Sequence, residues 1–126
     1  MIQQQTCLKV LDNSGAKIAK CIQILGGFKK KYARSGDLIV VSIKQLKNKS
    51  KKISKVKRKE VYKALIIKTR SKIGTKTGYT KTFNYNAVIL LNKQNSPIGT
   101  RVLTHLPAEI KKKKLQKVIN LSLGLI

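Results

Sequence analysis

Residues 26 to 37, GGFKKKYARSGD, gather Lys29, Lys30, Lys31 and Arg34 around two aromatics, Phe28 and Tyr32, between glycine-marked turns. Cations on a short loop can reach phosphate oxygens, and aromatic rings can stack on bases. For Phe28 and Tyr32 core packing is the expected role, with Tyr32 also kept as a candidate RNA contact. A second stretch, DNSGAK, sets Asn13, Ser14 and Lys17 beside a glycine that lets backbone approach a ligand, although a tight hairpin wants the same residues. Lys20 follows in the next apolar run. Lys51, Lys52, Lys57 and Arg58 lie in KQLKNKSKKISKVKRK, and Arg70 and Lys72 open RSKIGTKTGYTKTF. These fifteen positions form the candidate RNA-binding set.

Other chemistry finds little support. His105 is the single histidine, with no acid or cysteine near it in sequence, so packing or a surface position is expected of it. Asp12, Asp37, Glu60 and Glu109 are scattered, without a paired-carboxylate spacing. GTKTG lacks the GK[ST] ending of a phosphate loop. Cys7 and Cys21 sit in apolar-alternating stretches and read as buried reduced thiols, and nothing supplies the further ligands of a zinc site. No catalytic residue, cofactor or metal is expected.

Charge speaks to the partner. Twenty-nine Lys and Arg against four acids give +25, which internal ion pairs cannot neutralise. Nucleic acid turns such repulsion into affinity by releasing counterions. A membrane is the weaker reading, because no apolar run approaches a spanning length and no long basic amphipathic helix is apparent. MIQQQTCLKV has neither the pattern of a signal peptide nor that of a transit peptide.

The elements that must carry these residues are mostly strands. TCLKVLD and AKIAKCIQIL, the latter with Ile18, Ile22 and Ile24 between polar residues, read as two strands about the NSGA turn. LIVVSIK, EVYKALIIKT and YNAVILL supply three more. Residues 44 to 59 read as a mobile basic loop, and RSKIGTKTGYTKTF as a basic hairpin or ribbon bent at Gly74 and Gly78. Beyond Pro97 and Pro107, two short helices separated near the four-lysine run are expected. The fold class is mainly β, with five short strands in a compact barrel and a small helical appendage. One domain spans 1–126, with barrel and ribbon over about 1–95 and loop and short helices over about 96–126.

Read in order, MIQQQT, DNSGAK, CIQILGG, YARSGD, VYKALIIKT, FNYNAVILLN, PIGTRV and KVINL resemble the universal large-subunit ribosomal protein fourteen family along essentially the whole chain. The chain departs from the family's pattern at Asn84, at Leu103 and Thr104, in SLGLI, and in its lysine-rich 45–59 region. The resemblance implies a five-stranded β-barrel with a projecting β-ribbon and a small C-terminal helical region, seated on large-subunit rRNA at the face that meets the small subunit. It implies assembly and bridging without catalysis, contact with small-subunit rRNA, and the third and nineteenth large-subunit proteins as neighbours. It also implies a surface covered by a ribosome-silencing factor, at Thr100, Arg101 and Lys117. Abundant Lys, Ile and Asn, with no transit peptide, point to an organelle-encoded mitochondrial ribosomal protein, a bacterium or plastid being the alternative. A free-standing basic nucleic-acid chaperone or histone-like protein is the rival from another class. Equal affinity for any duplex would mark that rival.

Overall fold

A computed structural model describes residues 1–47, 54–113 and 115–126. Five strands close a barrel in the order β1 (Cys7–Val10), β2 (Ala16–Ile24), β3 (Leu38–Leu46), β4 (Val61–Lys68) and β7 (Ala87–Leu91). Closure comes from a parallel pairing of β1 with β7, Lys9 opposite Ala87 and Val10 opposite Val88, while the other neighbours run antiparallel. A closed barrel leaves no edge strand open to another chain. The expected mainly-β barrel is the observed one. Outside it, β5 (Ile73–Gly74) and β6 (Thr80–Lys81) form the two-stranded ribbon.

Two apolar clusters explain two kinds of strand. In β3, Ile39, Val41 and Ile43 point into the barrel and alternate with partly exposed neighbours. In β4 and β7 the runs ALIIK and AVILL are buried at every position. There Ala64, Ile66, Val88 and Leu90 face the interior, whereas Leu65, Ile67, Ile89 and Leu91 face outward beneath Val102, Leu106, Ile110 and Val118. A continuous apolar run is what a strand covered on both faces requires. The C-terminal segment is therefore a lid on the barrel wall. Burying Leu106, Ile110 and Val118 contributes about 2 kcal/mol each.

That lid contains a 3-10 helix, Ala108–Lys113, directly after Pro107, and one α-helix, α1 (Gln116–Asn120). The two short helices are present, the first wound more tightly than an α-helix. Backbone bonds stitch the lid to itself, from Leu106 N to Gly124 O at 2.9 Å and from Ile126 N to Leu106 O at 2.7 Å.

Strand β2 departs from simple alternation. Irregularities interrupt its register with β3 between Ala16 and Ile18, Ile18 and Ala19, and Cys21 and Gln23. Each such shift re-aims the side chains that follow. The buried positions become Ala16, Ala19, Cys21 and Ile24, while Ile22 is left exposed and Ile18 only half-buried. The even spacing of Ile18, Ile22 and Ile24 does not mark one face. Cys21 is buried as expected, but Cys7 is exposed, because β1 turns Leu8 and Val10 inward.

The reading of 44–59 as a mobile loop also changes. Residues 48 to 53 lie outside the described residues, but the flanks are held by the fold. Val56 is buried in the barrel core, Lys59 N donates to Ile43 O at 2.9 Å, and Lys55 N donates to Ser14 O at 3.0 Å. Through Val56 this lysine-rich run packs into the barrel's apolar cluster. In the ribbon, Gly78 at φ +87° makes the bend, whereas Gly74 lies within β5 itself.

Asp12 is the polar pivot of this arrangement. It is buried, and its Oδ1 accepts from Ser14 N at 3.1 Å and from the Ser14 hydroxyl, while Oδ2 accepts from Leu90 N at 3.0 Å. Asp12→Ala leaves three donors without an acceptor in a site closed to water, each costing roughly 1–3 kcal/mol. We expect a loss of at least about 3 kcal/mol in urea unfolding, against under about 1 kcal/mol for Lys17→Ala on the exposed turn flank. Burial also pushes the Cys21 thiol up, which holds it in the unreactive protonated form. One thiol, Cys7, should alkylate in the native chain, and the second only after denaturant is added.

Candidate nucleic-acid interface

The loop at 26–37 is built around one small buried residue. Ala33 exchanges backbone bonds with Ile2, at 2.8 and 3.0 Å, and both side chains are fully buried. In extended backbone the neighbours of an inward residue point outward, so Tyr32 and Arg34 emerge on the surface. Asp37 closes the return. Its Oδ2 accepts from Arg34 N at 2.9 Å and from Lys30 Nζ at 3.0 Å. Gly26 and Gly36 take φ of +90° and +86°, the turns that the glycines signalled.

Core packing is not the role of the two aromatics. Phe28 is 94% exposed and Tyr32 48% exposed. The loop turns Ala33 inward against Ile2 instead, which leaves its neighbour Tyr32 on the outer side. Lys29 and Lys31 are exposed, whereas Lys30 is partly committed to Asp37.

The N-terminal segment joins this loop to the barrel wall. Gln3, Gln4, Lys29, Lys30, Lys31 and Tyr32 line a cleft of about 490 Å³. Gln4 continues into a second cleft of about 300 Å³ with Gln5, Lys20, Ile22, Ser42 and Lys44. Lys20 lies opposite Ser42 on β3 and opposite Cys7 on β1. Sequence reasoning missed Gln3, Gln4 and Lys44 as parts of these adjoining clefts, since it is the Ile2–Ala33 pairing that brings the first residues to this loop. Arg34 faces another side. It shares a cavity of about 410 Å³ with Lys72, Ser71, Met1 and Glu109, so the structure brings Arg34 and Lys72 together.

Elsewhere the predicted contacts divide. Lys17 and Lys57 are exposed. Arg58 is exposed too, and its Nε donates to Lys44 O at 3.1 Å. Arg70 donates from Nε to Asn84 O at 2.8 Å and from its backbone to Asn86 Oδ1 at 2.9 Å, closing the base of the ribbon. Lys51 and Lys52 lie outside the described residues.

DNSGAK turns out to be a clamp. Ser14 is fully buried with its hydroxyl on Asp12, which puts its side chain out of a ligand's reach. Asn13 Nδ2 donates to Thr100 Oγ1 at 2.6 Å, while its Oδ1 accepts from Thr100 N at 2.7 Å and Arg101 N at 3.2 Å. A Cβ on Gly99 would sit 2.6 Å from Asn13 Oδ1, so only glycine lets this contact form. Asn13 thus positions Thr100 and Arg101. Val102 N then donates to Leu121 O at 3.0 Å, joining that segment to the end of α1, which carries the exposed Lys117. Two separate sequence motifs meet at one end of the barrel.

A further cluster escaped sequence reading. Lys68 is 7% exposed, donates to Thr104 Oγ1 at 2.5 Å, and lies 5.1 Å from the Phe83 ring and 5.6 Å from the Tyr85 ring. Lys9 approaches Tyr85 at 4.8 Å. The signal was present in EVYKALIIKT, where a lone Lys ends a run otherwise buried on both faces.

The acids are already used. Asp12 holds backbone and hydroxyl donors, and Glu60 accepts from Tyr62. Burial first, then that bond to Glu60, pushes the Tyr62 phenol up. Among the described residues, ion pairs join Lys30 to Asp37 and Lys81 to Glu109. Exposed lysines on the clefts, the β2 flank and the ribbon therefore keep their charge for an outside partner. Among the described residues, no helix is long and apolar enough to cross a membrane.

The model of the family described as ribosomal protein L14p/L23e matches residues 1–126. With the match running the full length of this basic five-stranded barrel, the chain belongs to the ribosomal protein L14p/L23e family, structural proteins of the large ribosomal subunit.

Proposed function

We propose that this protein binds large-subunit rRNA through its lysine-bearing clefts and ribbon, and contributes from that seat to the contact with the small subunit. It acts by assembly and bridging, without catalysis. The observation that carries the reading is the charge: 29 cations against four acids, each acid engaged within the fold. The phosphate backbone is the partner that gains most from such a surface. Asn13, Lys17, Lys20, Lys29, Lys31, Tyr32, Arg34, Lys57, Arg58, Arg70 and Lys72 are carried into this reading, Asn13 and Arg70 in part as positioning residues. The third and nineteenth large-subunit proteins are the proposed neighbours.

Thr100, Arg101 and Lys117 form the proposed surface for small-subunit joining and for a silencing factor. What supports their joint action is that Asn13 holds Thr100 and Arg101, and Val102 ties them to the helix of Lys117. The Lys, Ile and Asn bias of the sequence supports a mitochondrial ribosome with an organelle-encoded copy.

Replacing Lys29, Lys31 and Arg34 together by Ala should weaken binding to an rRNA fragment and flatten the log–log salt dependence by roughly 0.7–0.9 for each lost phosphate contact. An unchanged slope would overturn the assignment. Arg101→Glu should leave urea unfolding of the free chain within about 0.5 kcal/mol of the parent, because the Asn13 bond uses only its backbone. In sedimentation profiles the same variant should reduce subunit joining or silencing-factor capture. Normal profiles would remove Arg101 from this surface.

A further inference from the structure

We infer that the cleft between the N-terminal segment and the lysine loop seats an unpaired nucleotide, so that this part of the surface recognises single-stranded RNA rather than helical phosphates alone. The inference rests on the RNA-binding reading above and specifies the ligand.

Three kinds of group converge there. Lys29 and Lys31 are exposed cations suited to phosphate, Tyr32 gives a half-exposed ring, and Gln3 and Gln4 bring exposed amides that both donate and accept. A nucleotide has three matching parts: a charged linkage, a flat face and a hydrogen-bonding edge. In an A-form duplex the faces are stacked away and the base edges of the major groove are out of reach, so ring and amides would stand idle against it. The cleft, about 490 Å³, falls within the range of roughly 300–1,000 Å³ usual for small-ligand sites.

Phe28 adds a second, separate observation. At 94% exposure it contributes almost nothing to the core, yet it stands on the same loop with Lys29 Nζ 5.4 Å from its ring. Lys29 itself holds φ +50°, a backbone region that residues other than glycine seldom adopt. The fold maintains a costly local conformation and an unburied ring at one point. Stacking on a base gives both a use, and stacking is tolerant of base identity because every base has a π-face.

The test titrates the full chain with a short mixed-sequence single-stranded RNA and with the duplex it forms with its complement, across a salt series. Phe28→Ala and Tyr32→Ala should each lower single-strand affinity by roughly five- to hundred-fold. Duplex affinity and both salt slopes should stay unchanged, and Tyr32→Phe should bind as the parent does. Thermal unfolding of the variants should match the parent, since neither ring is in the core. Equal losses on strand and duplex, or no loss on the strand, would overturn the inference while a steep salt slope left the RNA-binding reading standing. Unchanged strand affinity together with reduced incorporation into large subunits would assign the rings to a protein neighbour and overturn it as well. A parent chain that bound neither RNA would overturn both readings.

Discussion

Twenty-nine cations held on one small chain repel one another, and four carboxylates cannot compensate them, so cohesion has to come from apolar closure. At physiological ionic strength exposed charges interact over about 8 Å, so many lysines on one small surface add to a shared field. A barrel closed by β1 against β7 answers this with an interior that needs no ion pairs. The outward side of β4 and β7 is sealed by the C-terminal lid, which gives two apolar layers sharing one wall. The charge is thereby confined to the outside, where it works against the free chain and for a complex.

With so few acids, each serves geometry more than neutralisation. Asp12 takes its three bonds from neutral donors and fixes the first hairpin to β7. Asp37 shapes the lysine loop by accepting from Arg34 N, and withdraws Lys30 from the exposed set as it does so. Glu109 takes Lys81, which also donates to Ile126 O, and so ties the ribbon to the lid. Carboxylates used in this way determine which lysines remain available outside.

Much of the scaffold was legible because the relevant signals are local. The β-branched run LIVVSIK, the apolar run AVILL and the glycine at the ribbon bend each follow from residue type and backbone freedom, and each appears where expected. What stayed hidden depends on contacts between distant residues. The buried face of β2 is set by irregular pairing with β3, which no spacing of Ile18, Ile22 and Ile24 reveals. Ser14 and Asn13 looked like ligand-facing turn residues, but their bonds to Asp12 and Thr100 turn them inward or toward the chain's other end. Phe28 and Tyr32 read as core because aromatics usually are; the loop instead buries Ala33, bonded to Ile2 of the N-terminal segment.

That displacement bears on how a basic protein acquires any selectivity. Lysines alone read only charge density, and a surface made of them would favour duplex and single strand in proportion to phosphate spacing. Shape or strand preference needs groups that gain nothing from phosphate, placed where phosphate contact has already fixed the register. The small Ala33 anchor leaves room for such groups, since it lets the loop fold without burying its rings, with Tyr32 beside Lys31 and the N-terminal amides in one cleft and Phe28 beside Lys29. A bulkier anchor would need a different backbone path, because Ala33 is fully buried against Ile2 with no exposed surface left. The exposure of the loop's rings therefore depends on the small side chain at its centre.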